Sequence, residues 1–429
     1  MFTKIIIENI GPITENIVLD FVINKRDKLN EGSYVEVPDK IYVSKIAGII
    51  AGNASGKTTI LDTLNKIGSF IELPNTKRSF SEFNDINFDD EFEKMIYYNI
   101  KNNIYSNKLP SLNESVQNPI GYIETELYIN NNDEYSGFYN YCLRYDKNYV
   151  KNGMLEESLY FRKKYNSKKK KEIFKISGNF ESEIGYKIAY KNNILEELKN
   201  DNKAKNEFLD KINYYQTYAK RYINESSTMD AENYIFPENI VINMIKNKEP
   251  IVLEFIKMAD ENIKKVIVED SDTKRPKLYF DYGNYKIRYD YISTATKKLC
   301  AIASNYVKSC KHGGIFLIDE LDNSLNREII KFILNLYIKN VSNNTSQLIF
   351  TTYTPEVLNI LRRDQIFILT KLNCSIKLTK FIDYIDEKTQ KKVRKDFSFS
   401  KSYKNNIIKN FPDSISFEMV ERVLREQNK

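Results

Sequence analysis

Histidine is almost absent: His312 is the only one in 429 residues. Any mechanism needing two imidazoles is thereby excluded, including H-E-x-x-H zinc chemistry and facial-triad iron. A Ser-His-Asp site would have to use His312 itself. Cysteine is scarce too. Cys142, Cys300, Cys310 and Cys374 lie far apart with no C-x-x-C pair. That disfavours zinc ribbons and a secreted disulfide framework, and a reducing cytoplasm fits. No run of 18 apolar residues exists, so no membrane partner is expected. The opening MFTKIIIENIGPITEN has too short an apolar stretch for a signal peptide and reaches Glu8 at once. Charge of one sign is also in short supply. Lys+Arg 65 against Asp+Glu 58 gives +7, a milder excess than a DNA-coating protein usually carries.

What is present suffices for a packed core: hydrophobic residues are 41% and charged residues 29%. The length allows two domains, or one large domain with an insertion. Residues 4–8 and 17–23 read as strands around a Gly11-Pro12 turn. Residues 41–50 form a β-branched apolar run, and a helical stretch follows the loop at 51–59. Residues 71–118 are rich in Asn, Ser and acidic groups and predict loops plus a helix. Residues 120–190 alternate as antiparallel strands do. From 190 to 265 the pattern turns helical, with Phe208, Ile212, Tyr215, Ala219 and Tyr222 in a short heptad stripe. A helix over 251–263 and strands at 265–269, 277–282 and 285–290 come next. The last third alternates helix and strand: a helix over 294–309, a buried strand in GGIFLIDEL, a helix over 326–340, a strand in QLIFTTY and a helix starting at 355–361. Such alternation predicts a mostly parallel sheet with helices on its faces.

The strongest chemical signal is AGNASGKTT, residues 51–59. Small residues let backbone N–H groups close around a phosphate, and the following helix aims its positive end at the same place. Gly52, Asn53, Ala54, Ser55, Gly56 and Thr59 would form the cradle. Lys57 would reach the β- and γ-phosphates of ATP, and the Thr58 hydroxyl would ligate Mg²⁺. The usual G-x-x-x-x-G-K-[ST] pattern wants glycine where this chain has Ala51. A positive φ there would cost about 1–2 kcal/mol. The second signal is GIFLIDELDNSLN, residues 314–326, an apolar strand ending in two carboxylates. Ligands bind at such edges in open α/β sheets. Asp319 would hold Mg²⁺ through water, and Glu320 would polarise an attacking water. YISTATKKL, residues 291–299, opens a helix. Its Ser293 either caps that helix or presents a hydroxyl to a phosphate. TTYTPEVL, residues 351–358, ends a strand and turns at Pro355.

In this order the motifs resemble the ABC-type ATPase heads of the RecF/SMC/OLD group, most closely the small bacterial ATPases labelled AAA15 or AAA21. The resemblance runs through IIIENIGPI, NASGKT, VLEFIKMADENIKKVIVED, IDELDNSLN and VRKDFSFSKSY. It implies an α/β P-loop NTPase fold: an ABC-type head with a mostly parallel sheet, an antiparallel β-subdomain and a short helical insertion. The expected division is residues 1–70 for the N-terminal part of the core, 71–190 for the β-subdomain, 191–264 for the helical lobe and 265–429 for the rest of the core. It implies further that Ser293 and Ala295 sit in the signature motif, which touches nucleotide bound by a second subunit, and that Ser324 sits in the D-loop. Tyr353 falls where the family usually has a switch histidine. A tyrosine cannot become cationic near neutral pH, so slow hydrolysis is expected. The implied partners are a twin chain in an ATP-sandwiched homodimer, or a higher oligomer of such dimers, and a separately encoded nuclease or toxin effector in anti-phage defence. The alternative is a RecF-like ATPase that binds DNA. FRKKYNSKKKKEIFK, residues 161–175, could contact nucleic-acid phosphates, although a solubilising hairpin tip is the plainer account.

Overall fold

A computed structural model describes residues 1–23, 31–52, 55–72, 109–130, 134–148, 155–178, 242, 250–269, 277–312, 314–339, 346–372, 375–386 and 391–392. Asn53, Ala54, the heptad stripe at 208–222 and all of VRKDFSFSKSY lie outside the described residues.

Among the described residues the strands are β1 (Phe2–Glu8), β2 (Ile17–Asp20), β3 (Val22–Ile23), β4 (Tyr34–Val37), β5 (Ile41–Ser44), β6 (Ile46–Ile50), β7 (Gly121–Ile129), β8 (Gly137–Tyr145), β9 (Leu155–Arg162), β10 (Lys171–Gly178), β11 (Lys265–Glu269), β12 (Lys277–Asp281), β13 (Lys286–Arg288), β14 (Gly314–Ile318), β15 (Ser346–Thr352), β16 (Ile366–Leu372), β17 (Ser375–Lys380), β18 (Ile385–Asp386) and β19 (Lys391–Lys392). The α-helices that matter for the site are α1 (Lys57–Glu72), α2 (Pro250–Lys257), α3 (Thr294–His312) and α4 (Arg327–Lys339).

The central sheet has the order β14-β15-β6-β16-β17. Its first four strands are parallel, and β17 closes the edge antiparallel to β16. Each of the four parallel strands splits its residues between two cores at period two. Ile315, Leu317, Ala47, Ile49, Ile349, Phe367 and Leu369 join one core. Phe316, Ile318, Ile46, Ile50, Leu348, Phe350, Ile366 and Ile368 join the other. Strands buried on both faces need no polar alternation, which is why GIFLI and QLIF read as unbroken apolar runs. The first core is filled by α1 (Ile60, Leu61, Leu64 and Ile67) and by an antiparallel sheet of order β10-β9-β8-β7-β1-β2. The second is filled by α2, α3 and α4; α4 contributes Ile329, Ile330, Ile333, Leu334 and Tyr337 from one face.

Three local expectations change. The apolar run at 41–50 is two strands in two sheets. Ser44 turns its hydroxyl onto Ile46, donating to its carbonyl at 2.6 Å and accepting from its N–H at 3.2 Å. That local closure ends one ladder and lets Lys45 step the chain into the next. The helix expected over 251–263 stops at Lys257. Beyond it Asp260 accepts the Asn262 N–H at 3.0 Å, an Asx turn. The segment from Pro355 to Ile360 is a 3₁₀ helix rather than the start of an α-helix.

Candidate functional site: a phosphate loop facing an Asp-Glu pair

In the sheet order β15 lies between β6 and β14, so three strands deliver their C-terminal ends to one edge. From β6 come Ala51 and Gly52, from β14 Asp319 and Glu320, and from β15 Tyr353. Ser55 donates to the Gly52 carbonyl at 2.7 Å and closes the loop. Gly56 has φ +88, the backbone conformation that favours glycine, and leads directly into α1. Ala51 is not among the positive-φ residues, so the strain expected for it does not arise.

Lys57 is only 4% exposed. Its ammonium donates to the Ala51 and Gly52 carbonyls, each at 2.9 Å, and sits 3.5 Å from the centroid of the Tyr353 ring. Burial pushes its pKa down to about 8, against the pull of Asp319, Glu320 and Asp322. Thr58 donates to the Asp319 carboxylate at 2.6 Å. A hydroxyl and a carboxylate thus meet as a pair of hard oxygen donors, which fits Mg²⁺ with water in its remaining positions. Among the described residues no group of three or more His, Cys, Asp or Glu side chains forms a self-sufficient metal site.

Thr351, wholly buried, organises the carboxylate turn. Its hydroxyl donates to Asp319 and accepts the Glu320 N–H at 2.7 Å. Glu320 has φ +46, so its side chain leaves the strand line. Tyr353 donates its hydroxyl to Glu320 at 3.0 Å, and burial together with that bond pushes the phenol pKa up to about 12. Asp322 accepts the Tyr353 N–H at 3.0 Å and the Thr354 hydroxyl at 2.6 Å through one oxygen. Its other oxygen is buried without a hydrogen-bond partner.

Ser293, Ala295 and Ser324 do not join this cluster. The Ser293 hydroxyl accepts the Thr296 N–H at 3.1 Å, an N-cap on α3. Ser293 and Ser324 are exposed, and Tyr291, two residues before Ser293, is 80% exposed. Ala295 lies inside α3 in ordinary helical geometry. Asn326 caps α4 through the Ile329 N–H at 2.9 Å.

Sequence reasoning missed Thr351, Asp322 and Lys298. Lys298 is completely buried on α3 and donates to the Glu320 carbonyl at 2.7 Å and the Asn323 carbonyl at 2.9 Å. Burial pushes its pKa down to about 8. One signal was available for it: Lys298 falls four residues before Ile302, on the helix stripe that must face the core.

The family model AAA_21, described as "AAA domain, putative AbiEii toxin, Type IV TA system", matches residues 46–359. None of the curated proteins matches the chain significantly. Among solved structures, the chain is similar to an Smc head bound to the C-winged helix domain of ScpA, at 14% identity, covering 88% of this chain and 97% of that one with a TM-score of 0.44. It is similar as well to the SMC head domain from Thermotoga maritima, at 10% identity, 88% and 98% coverage and a TM-score of 0.38. Because the family match spans most of the chain and takes in the phosphate loop, the carboxylate strand and the β15 turn, the chain belongs to the AAA_21 family of P-loop ATPases.

Proposed function

We propose that this ATPase binds MgATP and closes head-to-tail on a second copy of itself, with one nucleotide at each of two shared sites. The observation that carries the reading is the convergence of Lys57, Thr58, Asp319 and Glu320 at one sheet edge, while Ser293 and Ser324 stand exposed. Lys57 exchanges its loop carbonyls for the β- and γ-phosphates. Thr58 and Asp319 would hold Mg²⁺, which would supply neutralisation of the phosphate charge. Glu320 orients the attacking water. Ser293 and the Ala295 N–H of the twin reach the γ-phosphate. Tyr353 stands where a cationic switch residue would help, and its neutral hydroxyl leaves hydrolysis slow. ATP then serves mainly as a clamp, whose closing and opening holds or releases a separately encoded nuclease or toxin in anti-phage defence.

Three variants test the clamp by sedimentation with and without MgATP. Lys57→Ala is expected to lose nucleotide. Glu320→Gln is expected to keep it and to accumulate as an ATP-bound dimer, with hydrolysis down about a hundredfold or more. Ser293→Arg is expected to bind nucleotide as a monomer. If Ser293→Arg dimerises with ATP as the parent does, the shared site is wrong.

A second reading, a DNA-binding ATPase, draws on the hairpin between β9 and β10. Lys163, Lys164, Lys168, Lys169, Lys170 and Lys171 are all exposed there. Duplex binding that weakens steeply with salt, and flattens when these lysines become glutamines, would favour it.

A further inference from the structure

We infer that Lys298 is a positioning residue for hydrolysis: its buried ammonium fixes the turn that aims Glu320, and links that turn to the helix tip at Ser293. Two non-glycine residues near this turn, Glu320 at φ +46 and Ser324 at φ +65, hold left-handed backbone that side chains disfavour. Such conformations persist only where the surroundings over-determine them. Lys298 supplies part of that constraint, since it bonds the Glu320 carbonyl and the Asn323 carbonyl, the latter immediately before Ser324.

Packing does not account for a lysine here. The next five residues of α3, Leu299, Cys300, Ala301, Ile302 and Ala303, are wholly buried, and an apolar side chain at 298 would be buried without removing an ammonium from water. The charge instead faces inward to the site, where Asp319, Glu320 and Asp322 all act on it. Lys298 is also five residues from Ser293 along α3, about 7.5 Å of helix rise. A shift of the helix tip therefore reaches the Glu320 turn through two hydrogen bonds. That last link rests on the head-to-tail reading; the hold on Glu320 within one chain does not.

The test uses the full chain with Lys298→Met and Lys298→Arg. Melting temperature monitors folding, a fluorescent ATP analogue reports binding, and phosphate release reports turnover. Met removes both donors. Arg keeps a charge but carries a larger planar head that the closed site must displace the turn to admit. Both are expected to bind nucleotide within twofold of the parent. Turnover is expected to fall at least tenfold in Lys298→Met and three- to tenfold in Lys298→Arg. Parental turnover in either folded variant overturns the inference, and so does a loss of binding that matches the loss of turnover. If Lys298→Met does not fold, Lys298→Arg decides by the same criteria. If neither folds, Lys298 is a folding determinant and the inference fails. Ser293→Arg separates the two readings: parental turnover in that variant removes the shared site, while the effect of Lys298→Met on binding and turnover still decides the hold on Glu320.

Discussion

Nucleotide entry should be opposed by Tyr353, and the size of that opposition follows from Lys57. An ammonium has three N–H groups. Two of those on Lys57 are committed to the Ala51 and Gly52 carbonyls, and the Tyr353 ring lies 3.5 Å from the nitrogen. An incoming phosphate competes with the ring for the cation, so binding is expected to displace the ring. A partly desolvated cation–π contact contributes about 1–2 kcal/mol. Replacing the ring with a side chain that has no π face removes that term from the nucleotide-free state. Tyr353→Leu is therefore expected to tighten ADP and ATP binding about 5- to 30-fold. Tyr353→Phe keeps the ring and loses only the hydroxyl bond to Glu320, so its affinity should stay within about threefold of the parent. Calorimetric titration of both variants with ADP avoids interference from turnover. Equal affinities for Leu and Phe, or weaker binding by Leu, would refute the idea that the ring occupies phosphate space.

Three other outcomes follow from the same region. Burial holds Lys57 and Lys298 at about 8 against an ordinary 10.5. Between those values the unfolded chain binds more protons than the folded one, so stability should rise with pH from about 8 to about 10.5; a melting temperature that falls across that window, corrected for the other titrating groups, contradicts it. Gly56→Ala should lower the urea midpoint by an amount equivalent to about 1–2 kcal/mol, since an added Cβ meets φ +88 and lies 2.7 Å from Ile376 Cδ1. Ala51→Gly should also destabilise, by about 0.4–1 kcal/mol through the unfolded chain, because Ala51 carries no strain to relieve.

The parallel core was legible because its signals are local. An apolar run followed by a glycine loop and a helix places β6, the loop and α1 within a short window, and IFLIDE carries its own edge chemistry. The antiparallel unit was legible as strands of a β-subdomain, but the pairing that joins β1 to it was not. Alternation assigns faces to β1 and β7, yet nothing in it says that Ile5 pairs with Thr125 across more than a hundred residues. Partner choice is set by which strands are left with an open edge once the local hairpins have formed, and that is a property of the assembled fold. The break at Ser44 was hidden for a related reason. A serine inside a β-branched run looks like a tolerated polar residue until its hydroxyl is seen to occupy the backbone of Ile46.

Within the site, the residues named from sequence were those whose chemistry is carried by type and spacing: Lys57, Thr58, Asp319 and Glu320. The missed ones act on other protein groups. Thr351 binds Asp319 and the Glu320 N–H, Asp322 holds the Tyr353 turn, and Lys298 holds the carbonyls of Glu320 and Asn323. None of these needs a spacing relative to the phosphate loop, so no motif announces them. They come from the β15 end, the turn after β14 and α3, and every one converges on the backbone that carries Glu320 or on the tyrosine bonded to it. Aim of the carboxylate is therefore distributed over three elements. A change at any one of these residues acts on a network whose other members are intact.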